Sequence, residues 1–185
     1  MWYAMVYFPD FRHEGLNRIR EAYDPTCSLI EPHLPVMMPV PGGIELEAIT
    51  AHIRTVLEGI ETFRVHFTGL YKSWDHWLLL GVSEGRDTVI QIHDRIYTGV
   101  LKPYLREELP YQPHIGLGLF TSELYDHFDP KKERLDEKKY QEAAKEAKNM
   151  NLDFWCSVDS FDLIQLNDSL SRLIIKEKFR LNKMP

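Results

Sequence analysis

Apolar residues recur along this chain with two periods. Ile49, Ile53, Val56, Leu57 and Ile60 fall three and four apart, and so do Val89, Ile92, Ile96 and Val100. Each set predicts one face of an amphipathic helix. Leu16, Ile19 and Tyr23 carry the same spacing within Phe11 to Tyr23, and Asp24-Pro25 ends that helix because proline cannot continue it. Phe63, Val65 and Phe67 alternate instead with Arg64, His66 and Thr68, which predicts a half-buried strand with Trp77 to Val82 as its hairpin partner. Tyr3 to Phe8, His33 to Met38 and His114 to Phe120 read as further strands. Lys131 to Met150 reads as a highly charged helix lying mostly in solvent, its apolar positions being Ala143, Ala144, Ala147 and Met150. Asp153 to Leu166 and Leu170 to Leu181 read as two closing strands around Asn167-Asp168-Ser169.

Strands, hairpins and helices in this order predict an α+β fold with mainly antiparallel sheets. No low-complexity linker divides the chain, so residues 1–185 read as one bilobal domain. Its approximate halves are 1–84 and 85–185, with strand exchange between them left open. The 185 residues are 44% hydrophobic and 27% charged, which excludes long disorder and coiled coil. No purely apolar stretch, Trp77 to Leu80 included, approaches the roughly 20 residues a membrane span needs. Cys27 and Cys156 are the only cysteines, which argues against a disulfide scaffold, and the first residues lack a basic leader. A cytoplasmic location is the expectation. The net charge of −6 disfavours binding to extended duplex nucleic acid but leaves room for a short anionic ligand in a local cleft.

One local pattern occurs twice. Ile30-Glu31-Pro32-His33-Leu34-Pro35-Val36 and Tyr111-Gln112-Pro113-His114-Ile115-Gly116-Leu117 each place a proline before a histidine that opens a strand. Strict alternation predicts that His33, Pro35 and Met37 share a face, with Leu34, Val36 and Met38 in the layer beneath. It likewise predicts His114, Gly116 and Gly118 on one face and Ile115, Leu117 and Leu119 on the other. A single histidine at a strand start is ordinarily structural, and this chain has eight. Two in matched contexts point to a pair facing one another across a cleft. Imidazole suits such a pair, since an ordinary pKa near 6.5 lets one ring accept a proton while the other gives one.

These two copies resemble the motif of the two-histidine (2H) phosphoesterase superfamily, whose founding members are 2'-5' RNA ligase-like proteins. The resemblance covers Tyr3 to Leu181, and the strand-rich segment Phe161-Asp162-Leu163-Ile164 is part of it. It implies two pseudo-symmetric lobes of antiparallel sheet flanked by helices around a central cleft. It places His33 and His114 on the family's catalytic histidines. Pro35 and Gly116 fall where the family has Thr or Ser, so neither copy has a side-chain donor there. Losing one such donor costs about 10²–10³ in rate. Gly116 and Gly118 would let an oxyanion approach the backbone, while Arg64, His66, Thr68, Tyr71 and Lys72 are substitute donors or members of a solvent face.

The resemblance implies no metal and no organic cofactor, because an imidazole pair can run this chemistry alone. No HxH or HExxH spacing supports a metal among His33, His66 and His114. Trp74-Asp75-His76-Trp77 reads as a packed hairpin end that alternatively stacks a base, and His52 and His93 read as edge-of-core residues. Cys27 lies close to the first copy and reads as a small buried hydrophobe. The first functional reading is a divergent cyclic phosphodiesterase acting on a nucleoside or RNA 2',3'-cyclic phosphate. The second is a catalytically impaired relative that binds a nucleotide or small anion, and a third is a structural role with an unused cleft. The partner expected is a small phosphodiester or RNA end, with no membrane.

Overall fold

In a computed structural model, the described residues (1–10, 13–121, 135–169 and 171–183) form two four-stranded antiparallel sheets and four α-helices. The chain order is β1 (Trp2–Tyr7), α1 (Glu14–Tyr23), β2 (Leu34–Pro41), α2 (Leu46–Leu57), β3 (Phe63–Lys72), β4 (Trp77–Val82), α3 (Arg86–Ile96), β5 (His114–Leu119), α4 (Glu137–Asn149), β6 (Phe154–Val158), β7 (Ser160–Leu166) and β8 (Leu173–Arg180). The first sheet runs β2-β1-β7-β8 and the second β5-β4-β3-β6. The first therefore draws its strands from both ends of the chain. α2 and α3 pack on the first sheet and α1 and α4 on the second, while the edge strands β2 and β5 meet.

The helices bury the stripes that their spacing predicts. Leu16 and Ile19, then Ile49, Ile53, Val56 and Leu57, then Val89, Ile92 and Ile96 all lie in the main core. His13 caps α1 by accepting the Leu16 N–H on Nδ1 at 3.2 Å. α4 seats Ala143 and Ala147 fully against the core, small side chains that let a charged helix approach closely. The predicted hairpin of β3 and β4 forms. Residues 11, 12, 131–134 and 170, which the sequence reading assigned to helices and strands, lie outside the described residues.

Four expectations are corrected. Val100 leaves the helical stripe: Gly99, at φ +50, starts a 3-10 turn (Gly99–Tyr104) in which Val100 is exposed and Leu101 buried. Asp153 to Leu166 is two strands in different sheets, joined through Asp159. The alternation itself slips there, from buried Cys156 and Val158 to buried Phe161 and Leu163.

The other two corrections share one cause. Between Val6↔Pro35 and Met5↔Met37, β2 holds Val36 as an extra residue; between Leu79↔Gly116 and Leu78↔Gly118, β5 holds Leu117 as one. A bulge reverses the facing of everything after it. Met37 therefore turns into the core and Met38 out to 48% exposure. Gly118 turns towards α1, and Leu119 is half-exposed rather than buried. Both bulges stand three residues after the histidine of their copy, so the duplication extends to the irregularity.

Candidate active site

Each histidine is held by its own backbone and by a tie on the segment before it. His33 follows the loop after α1, which the buried Arg20 pins. Arg20 pairs with the buried Asp24 at 2.7 Å and donates to the Ile30 carbonyl at 2.8 Å. Asp24 in turn accepts from the Thr26 N–H and hydroxyl at 2.8 and 2.7 Å. The segment before His114 is tied to the other sheet, since the Tyr111 hydroxyl donates to the Pro35 carbonyl at 2.6 Å. The Tyr111 ring lies flat on His93, with centroids 3.9 Å apart and planes 1° from parallel.

The two imidazoles sit in matching settings. His33 Nδ1 lies 2.9 Å from the Glu31 carbonyl, and His114 Nδ1 lies 2.6 Å from the Gln112 carbonyl. A carbonyl can only accept, so each Nδ1 carries the proton and each Nε2 is left as the basic nitrogen. Burial lowers the pKa of His33 to about 4 against the pull of the Glu31 carbonyl, and the charges of Arg20 and His114 lower it further. Burial also lowers His114, opposed by its bond to the Gln112 carbonyl and by the charge of Asp75. The influence of His114 on His33 means that the rings lie within electrostatic reach.

Around them, the remaining sequence-predicted residues divide. Pro35 is buried opposite Val6, on the face of the first sheet that carries Ala4, Val6 and Ile164. At Gly116, a Cβ would meet the Trp77 ring at 3.3 Å, so the indole fills the space a side chain would need. Gly118 is not part of this face: a Cβ there would stand 2.5 Å from the Cβ of Tyr23. Tyr71 lies over Gly81, with its Cε1 3.2 Å from where a Cβ would be, and Gly81 is the residue paired with His114. Its hydroxyl is buried without a hydrogen-bond partner among the described residues, and burial pushes its pKa up to about 12, so it is a permanent donor.

Arg64 and His66 are engaged elsewhere. Arg64 stacks its guanidinium on Trp155 at 4.5 Å, and His66 bonds Asp153 at 2.9 Å. Thr68 donates to the same carboxylate at 3.2 Å. In the hairpin turn, Trp74 is half-exposed and Asp75 acts on His114. Cys27 is partly exposed. Sequence reasoning missed Arg20, Asp24 and the tie made by Tyr111. Among the described residues, no three of His, Cys, Asp and Glu come together to hold a metal. No helix among them is long and apolar enough to cross a membrane.

Comparison with known proteins agrees with this architecture. The family described as the 2'-5' RNA ligase superfamily matches residues 8–169. A Bacillus licheniformis protein provisionally named a phosphoesterase is 26% identical over 119 residues, which are 62% of this chain and 69% of that protein. Among solved structures, E. coli LigT complexed with 3'-AMP superposes with a TM-score of 0.60 at 13% identity, covering 97% of each chain. TT0787 of Thermus thermophilus superposes at 0.61 with 15% identity over the full length of both chains. At such identities, the structural matches establish the shared fold.

Proposed function

This chain belongs to the 2'-5' RNA ligase superfamily, and from that membership we propose that it opens a cyclic phosphodiester, a nucleoside or RNA 2',3'-cyclic phosphate, between His33 and His114. The observation that carries the reading is the matched pair of Nδ1–carbonyl bonds on two imidazoles within electrostatic reach. In this mechanism neutral His33 takes a proton from water as its oxygen bonds to phosphorus. Protonated His114 gives its proton to the ribose oxygen as the P–O bond breaks. The product is a phosphomonoester beside a free hydroxyl. His33 is assigned the base because burial and the Arg20 charge both disfavour its proton, whereas the Asp75 charge favours protonation of His114. The Tyr71 hydroxyl is the proposed donor to the developing oxyanion, in place of the side chains absent at Pro35 and Gly116. E. coli LigT, on the same fold, was crystallised with 3'-AMP, a nucleoside phosphomonoester of the kind such a reaction releases.

The test is turnover of nucleoside 2',3'-cyclic phosphates followed by phosphorus NMR. Each of His33→Ala and His114→Ala is expected to lower the rate by about 10²–10⁴. A protein that turns over no member of the panel, or is undiminished by His33→Ala, refutes the proposal. One observation favours a second reading, a pocket that only binds a nucleotide or small anion. Trp77 fills the space beside Gly116, and Pro35 offers no N–H. Binding of a nucleoside monophosphate without any product from the cyclic ester would select that reading.

A further inference from the structure

We propose that Ser83 is the nucleophile of a second site, an acyl-transfer centre activated by His66 and Asp153 and independent of the His33–His114 pair. Residues 81–85 read Gly81-Val82-Ser83-Glu84-Gly85, a G-x-S-x-G pattern. The pattern has chemical meaning only where a strand turns directly into a helix and projects the serine. Here β4 ends at Val82 and α3 begins at Arg86. Gly85 is required by that turn, whereas Gly81 lies in β4 just before it. A Cβ on Gly81 would lie 3.2 Å from the Tyr71 ring and 3.3 Å from the Thr68 carbonyl. Gly85 stands at φ +76, and a Cβ there would come within 2.3 Å of the Arg64 carbonyl.

The partners form a continuous chain of hydrogen bonds. Ser83 Oγ lies 3.0 Å from His66 Nδ1, and His66 Nε2 lies 2.9 Å from Asp153 Oδ1. Thr68 donates its hydroxyl to the other carboxylate oxygen at 3.2 Å. The His66 ring is stacked on Trp155, with centroids 4.5 Å apart and planes 3° from parallel, which fixes its orientation. The backbone locks the strands together at this point: the Ser83 N–H donates to the His66 carbonyl at 2.9 Å, and the His66 N–H to the Glu84 carbonyl at 3.0 Å.

Proton logic then assigns the roles. The His66 bond, helped by Thr68, holds the Asp153 carboxyl below its ordinary value, so it is an acceptor only. Nε2 must therefore carry the imidazole proton, which leaves the Nδ1 lone pair for the Ser83 hydroxyl. The hydroxyl's other neighbour, the His66 carbonyl, is farther away at 3.3 Å. The two ring nitrogens are used in the opposite sense from the usual Ser-His-Asp arrangement, but the direction of proton flow is the same. The first turn of α3, just after Ser83, has N–H groups at Arg86, Asp87 and Thr88 without an intrahelical acceptor.

The proposed substrate class is small, activated carboxylic esters, because Ser83 is exposed and needs no lid to be reached. Ser83 Oγ bonds to the acyl carbon while its proton passes to Nδ1 and the carbonyl electron pair moves to oxygen. Collapse breaks the ester C–O bond, and the alcohol leaves with the proton from Nδ1. Water repeats the sequence on the acyl-serine, releasing a carboxylic acid and restoring the hydroxyl.

The test is covalent labelling of the full chain with a fluorophosphonate, read by intact mass and peptide mapping, beside p-nitrophenyl acetate hydrolysis. One adduct on Ser83 is expected, absent in Ser83→Ala and formed about 10²-fold more slowly in His66→Gln. Circular dichroism checks that both variants are folded; if His66→Gln is not, Asp153→Asn takes its place with the same expected slowing. No adduct, an adduct on another residue, or labelling of the relay variant at the unmodified rate would overturn the proposal. None of these outcomes depends on whether the cyclic phosphodiester reaction occurs.

Discussion

Acidification should weaken this fold through His33 in a way that one substitution removes. Burial lowers the folded-state pKa of this ring from 6.5 to about 4. In the unfolded chain it titrates near its ordinary 6.5. Between these two values the unfolded state binds a proton that the folded state refuses, so stability rises with pH across that window. The contribution is complete above pH 6.5 and is lost as pH falls towards 4. Each pH unit is worth about 1.4 kcal/mol, so the loss from this one ring approaches about 3 kcal/mol. That figure is an upper bound because the edge of the ring meets solvent. The assay is urea unfolding at intervals from pH 7.5 to pH 4 for the unmodified protein and for His33→Gln, which keeps a polar side chain but cannot titrate. The difference between the two curves cancels the carboxylates common to both proteins. It should grow steadily below pH 6.5 in favour of the glutamine variant. A constant difference across the range, or a His33 ring signal that titrates near 6.5 by NMR, would refute the reasoning.

Tyr71→Phe removes a buried hydroxyl that has no partner, so urea unfolding should show unchanged stability or a gain of about 1 kcal/mol, while cyclic phosphate turnover falls about 10²-fold. A loss of stability would show that the hydroxyl is bonded within the fold. Arg20→Met leaves Asp24 buried without its cation and should cost about 3–5 kcal/mol, much of it recovered by adding Asp24→Asn. Equal destabilisation of the single and double variants would contradict the pairing. Gly118→Ala drives a methyl group into Tyr23 and should cost about 1–3 kcal/mol without changing the affinity for a nucleoside monophosphate. A change in that affinity, measured on the folded protein by calorimetry, would return Gly118 to the site.

The helices were legible because their burial is periodic and local. Ile49, Ile53 and Val56, or Val89, Ile92 and Ile96, need only one face of one cylinder to be read. The matching settings of His33 and His114 were legible because a duplicated unit repeats its own context. The bulges at Val36 and Leu117 were not, since period two contains no mark of where an extra residue will be inserted. The misassigned faces of Met38, Gly118 and Leu119 follow from that single omission. Nor could the sequence reveal contacts that depend on chain closure. The hydroxyl of Tyr111 finds a carbonyl 76 residues away, and His66 finds its carboxylate 87 residues away. The stretch from Gly81 to Gly85 gains the partners of its proposed chemistry only when β3 and the residue before β6 arrive beside it.

Two identical backbone settings would give two identical imidazoles, and identical imidazoles make a poor acid and base. The asymmetry comes from the charges outside the duplicated motif. The Arg20 charge lowers the pKa of His33 more than the Asp24 charge paired with it raises it, whereas Asp75 raises that of His114. The cation belongs to α1, where its pairing with Asp24 also holds the loop before His33. The anion belongs to the hairpin turn between β3 and β4, beside the strand that pairs with β5. In the proposed mechanism these charges favour placing a shared proton on His114. In that mechanism an anionic ester between the rings favours protonation of both. In the proposed mechanism, reversing the turn's charge by Asp75→Lys should therefore weaken His114 as the acid, read as a fall in cyclic phosphate turnover by a protein that stays folded.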